Sequence, residues 1–83
     1  MKYIQLQRIF EIMERKDQKG RFLPFDVAFR KISTGEMVVC RNARLSSIHS
    51  EGMTLNIIRD GETKPIKIYK NLITSFNGLT VIQ

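Results

Sequence analysis

The sequence predicts a mainly β fold: one N-terminal helix followed by a five- to six-stranded, antiparallel, partly open barrel. Three observations carry this expectation. The spacing of apolar side chains changes from a helical to an alternating period after about residue 20. Apolar runs then recur roughly every 8–12 residues, with Gly, Asn, Asp or Ser between them. No second stretch combines the length and the period of a helix, so the connections are short and suit antiparallel neighbours.

The helix is expected from Lys2 to Asp17, a stretch free of Gly and Pro. At about 100° per residue, Tyr3, Leu6, Ile9, Phe10 and Met13 share one face, and Arg8, Glu11 and Arg15 lie opposite. Gly20 follows as a candidate left-handed cap. A stripe this broad needs a surface to cover, so residues 1–19 are expected to pack on a barrel formed by 22–83, within a single domain spanning 1–83. A neighbouring copy is the other surface that would serve.

Beyond Arg21, Phe25, Val27 and Phe29 alternate with Asp26, Ala28 and Arg30, as in a half-buried strand. Pro24 precedes it, where a missing N–H does little harm. Ser33, Thr34 and Gly35 turn the chain into a long strand starting at Glu36. Its alternation breaks near Arg41 and Asn42, which predicts a β-bulge or sharp bend. Ser50, Glu51 and Gly52 are expected to make a hairpin loop, followed by a strand through Met53, Leu55 and Ile57. Asp60 and Gly61 turn again before Ile66 to Tyr69, and a link at Lys70 and Asn71 leads to Leu72 through Phe76. Asn77-Gly78 is a strong signal for a type I′ hairpin, because that turn needs positive φ at both central residues. The last strand, Leu79 to Ile82, is expected beside Phe25 to Phe29, with a second chain as the alternative partner.

With a long second strand bent by a bulge, successive hairpins and a short closing strand, residues 24–83 resemble the small SH3-like and Sm-like barrels in topology, although no signature motif matches. The short single-domain format is similar to reading frames common in phages and mobile elements.

Eighty-three residues make one small domain whose stability gains from a partner. Fourteen Lys and Arg against eight Asp and Glu give a net charge of +6. Such a field favours nucleic acid, acidic protein or anionic lipid. The longest wholly apolar run is Met37 to Val39, too short to span a bilayer. No secretory signal is expected, and one cysteine fits a reducing compartment. The expectation is an intracellular protein without membrane contact, a virion component included.

Catalytic material is scarce. Cys40 and His49 are the only residues of their kinds, and the strand between them would hold them far apart. Cys40 beside Val38 and Val39 fits a small core residue. One Cys and one His cannot make a structural zinc site, Asp60-Gly61-Glu62 lacks calcium-loop spacing, and five scattered glycines form no phosphate loop. No cofactor, metal or small-molecule substrate is expected, and the protein is not expected to be an enzyme.

Binding remains. The first expectation is a structural or protein-interaction module, self-assembling through Phe10, Met13, Leu79 and Ile82. The alternative is a nucleic-acid binder using Arg15, Lys16, Lys19, Arg21, Arg41, Arg44 and Lys67, with Phe22 and Tyr69 as stacking faces. Basic groups at strand edges also serve solubility and block edge-to-edge aggregation, so their convergence decides between these roles.

Overall fold

The computed structural model describes residues 2–48 and 52–83. The chain enters its sheet immediately. Strand β1 (Tyr3–Gln5) pairs in parallel with the final strand, β7 (Leu79–Ile82), setting Ile4 opposite Val81. Helix α1 (Leu6–Met13) follows, then β2 (Phe25–Arg30), β3 (Met37–Ile48), β4 (Thr54–Ile58), β5 (Ile66–Tyr69), a single 3₁₀ turn at Lys70–Leu72, β6 (Ile73–Phe76) and β7. The sheet runs β1-β7-β6-β2-β3-β4-β5 among the described residues.

The expectation of a mainly β body therefore holds, with differences. The helix is eight residues long, and its expected first turn is a strand instead. Tyr3 and Ile4 suit either period, and pairing with β7 decides in favour of extension. The helix stops at Met13 because residues 15–22 form a loop with hydrogen bonds of its own. Asp17 accepts the backbone N–H groups of Lys19 and Arg21 at 2.8 and 3.0 Å, and Leu23 N–H donates to Arg15 O. A carboxylate that captures nearby backbone donors competes with helix continuation. Gly20 has the left-handed φ of 79°, but it turns this loop and does not cap the helix.

The closing arrangement also differs. Strand β6, not β7, lies beside β2, with Val27 opposite Phe76. Asn77 causes this: its side-chain oxygen accepts Asp26 N–H at 2.8 Å, and its own N–H donates to Asp26 O at 2.8 Å. These bonds clamp the β6–β7 hairpin to β2, so β7 lies one strand further out and takes β1 as its second partner. The margins β1 and β5 do not pair with each other, and the sheet is not closed.

The bulge at Arg41 and Asn42 is present. Phe25 faces Ala43 while Val27 faces Cys40, leaving one extra residue on β3. Asn42 takes φ 54°, and its N–H donates to the Asp26 carboxylate at 3.0 Å. Strand β3 pairs with β2 through its first half and with β4 through its second, so the bend carries the sheet around its core. The expected loop at Ser50 and Glu51 lies outside the described residues.

One apolar core joins the helix to the sheet. Ile9 and Met13 are fully buried (0% exposed) beside Phe25, Leu45, Leu55, Ile57 and Phe76. The helix therefore covers its own sheet. No helix among the described residues is long and apolar enough to cross a membrane.

Candidate functional site

Strand alternation and register sort the surface into distinct regions. Inward residues fill the core: Val27, Phe29, Cys40, Ile73 and Phe76 on the β2–β3–β6 side, and Ile4 on β1. Their neighbours point outward. Across five adjacent strands the uncharged outward residues are Met37 and Val39 on β3, Ala28 on β2, Thr74 and Ser75 on β6, Thr80 and Ile82 on β7, and Tyr3 and Gln5 on β1. None of the nine is charged. Thr74, the extra residue opposite β2, holds its hydroxyl 3.3 Å from both Ala28 O and Met37 Sδ, stitching β6 to β3 over β2. Val39 is 60% exposed, Tyr3 55%, Met37 45% and Ile82 43%. The same side of β2 and β3 also carries charge: Arg30 stands opposite Met37, and Asp26 and Arg41 share a hollow with Ala28, Val39 and Ser75.

Of the four residues expected at an interface, only Ile82 belongs to it. Met13 lies wholly inside the core, which removes it from any surface. Leu79 faces inward with Phe76 and packs on the core. Phe10 also packs there, with Lys70 Nζ 5.1 Å above its ring. The helical stripe was expected to pack on the chain's own barrel or on a neighbouring copy, and Ile9 and Met13 lie in the chain's own core.

The basic residues divide into three groups. Arg15, Lys16, Lys19 and Arg21 all stand exposed on the loop after the helix, where Lys16 Nζ lies 4.9 Å over the Phe22 ring. Arg44 joins them from β3. The Asp17 carboxyl is held below the usual carboxylate range, first by the Arg21 N–H and further by the Lys19 N–H and the charges of Arg21 and Arg44. Carboxylates are interleaved here, since Asp60 and Glu62 line the hollow between Phe22, Arg44 and Arg59. Arg41 stands apart, sharing a hollow with Asp26, Ala28, Val39 and Ser75.

Lys67 belongs to the third group, a groove of about 370 Å³ between β5 and the β2–β3 turn. Phe29, Val38 and Ile66 supply apolar walls, and Arg30, Lys31, Arg59 and Lys67 supply charge. No carboxylate lines it. Arg59 pairs with Glu62 at 2.7 Å, and Arg30 donates to Gly35 O at 3.1 Å. Sequence reasoning noticed Arg30 and Lys31 only as a strand end and passed over Arg59, because the turn and the β4 end meet only after folding.

Cys40 is 3% exposed, and burial pushes its thiol up, away from the thiolate form. His49 lies outside the described residues. Among the described residues no cluster of three or more His, Cys, Asp or Glu is placed to hold a metal, and the core contains no buried polar or charged residue.

The sequence matches no protein-family model, and comparison with curated proteins and with solved structures returns no match.

Proposed function

We propose that the protein is a non-catalytic interaction module that self-associates through the outer face of β3, β2, β6, β7 and β1. The observation that carries this reading is the uncharged row from Met37 and Val39 to Tyr3 and Ile82. In a chain of net charge +6, copies repel one another over most orientations. Along a row of uncharged side chains that repulsion is least and apolar burial can act. A two-fold pairing needs one self-complementary patch, and a gently curved sheet face supplies one. The bent β3 shared between two halves of the sheet supports reading the body as a small, partly open barrel of SH3-like type.

Sedimentation or light scattering should give twice the 9.7 kDa chain mass at micromolar concentration. Val39→Glu should raise the dimer Kd at least about tenfold, or 1.4 kcal/mol, because a carboxylate would be buried against apolar surface. The exposed position keeps the effect on folding small. A wild-type chain that stays monomeric at millimolar concentration overturns the reading.

A second reading is nucleic-acid binding by the Lys16–Phe22 pair with Arg21 and Arg44, where cations surround an aromatic ring. Retention on single-stranded oligonucleotide at low salt, lost in Arg44→Glu, would favour it over self-association.

A further inference from the structure

We propose that the groove beside β5 receives an extended, acidic segment of a partner protein, which adds to the sheet as an eighth strand. Strand β5 is a sheet margin: it pairs with β4 from Ile66 to Tyr69, and no strand among the described residues pairs with its other side. All four of its residues line the groove in succession and no β4 strand residue does, so the groove runs along that open side. An added strand would find backbone donors and acceptors there, with apolar walls for alternate side chains.

Charge selects the occupant. Arg30, Lys31 and Lys67 form no ion pair among the described residues, and only Arg59 has a carboxylate partner. Pro65 and Lys67 are also the residues that keep an exposed edge from pairing with its own kind. In a chain of net charge +6 these cations exclude a second copy, whose own margin β1 follows Lys2, while they attract a strand bearing carboxylates. Apolar residues alternating with Glu or Asp would match the apolar walls and the cationic rim together. Phe29 and Val38 of the groove point to the other side of β2 and β3 from Met37 and Val39, and only Arg30 adjoins both regions, so this inference stands without self-association.

The test uses the full chain and a capped synthetic peptide of alternating glutamate and valine, about eight residues long. Binding should slow amide hydrogen exchange at Ile66 to Tyr69. Methylating alternate backbone nitrogens of the peptide should weaken binding at least about tenfold, as should the double variant Lys31→Glu, Lys67→Glu, while its unfolding midpoint stays near that of the wild type. The Val39→Glu monomer should bind as the wild type does, which separates this test from that of the dimer. Four outcomes overturn the proposal: no protection at millimolar peptide, protection confined to another strand, equal binding of the methylated peptide, or tighter binding of oligothymidylate in the same groove.

Discussion

Asn77 and Gly78 lie at φ 49° and 81°, the pair of positive angles that turns a strand back on itself within two residues. Nothing stands within 4 Å of where a Gly78 side chain would begin, so any cost of substitution there is backbone strain alone. Gly78→Ala should therefore destabilise by about 1–2 kcal/mol, the penalty of an L-residue held in the left-handed region, measured by urea unfolding. Asn77 tolerates that region and also holds Asp26 by two hydrogen bonds. The hairpin was legible from these two letters. The clamp to Asp26 was not, because a bond between residues 51 positions apart leaves no local trace.

Helix α1 is too short to persist in isolation, since a helix nucleus is costly and eight residues repay little of it. Gln5 at its start makes no side-chain cap, so docking must hold it. Ile9 and Met13 supply that docking from inside the core. Ile9→Ala should cost about 2–5 kcal/mol through lost burial and the cavity left behind, measured by chemical denaturation with circular dichroism. The helical period located this element correctly between Leu6 and Met13. Its ends were overrun because Tyr3 and Ile4 suit either geometry, and because the Asp17 loop that halts the helix is built from polar residues a helix also accepts.

Across the protein, charge and apolar surface separate. An uncharged row crosses five strands on one face of the sheet, with Asp26, Arg30 and Arg41 beside it on β2 and β3, while the groove at β5 collects four cations and no carboxylate. Added salt should therefore act on the two proposed associations in opposite senses. Screening reduces repulsion between copies and strengthens the dimer, and it weakens capture of an acidic strand. Light scattering and peptide titration between low and high salt check both slopes. Parallel slopes would mean that one surface serves both events.

Alternation of apolar and polar letters, with Gly and Asn between the runs, was enough to determine the strands from β2 onward, the bulge and the Asn77-Gly78 turn, because each depends on neighbours within a few residues. Which strand lies beside which was settled only by long-range contacts, such as Asn77 with Asp26 and Tyr3 with Thr80. Hydrophobicity is non-directional, so apolar stripes on α1 and β7 announce that burial will occur without saying against what. Folding spends Phe10, Met13 and Leu79 on the core and leaves Val39 and Tyr3 outside, and that allocation sets where another molecule can meet the protein.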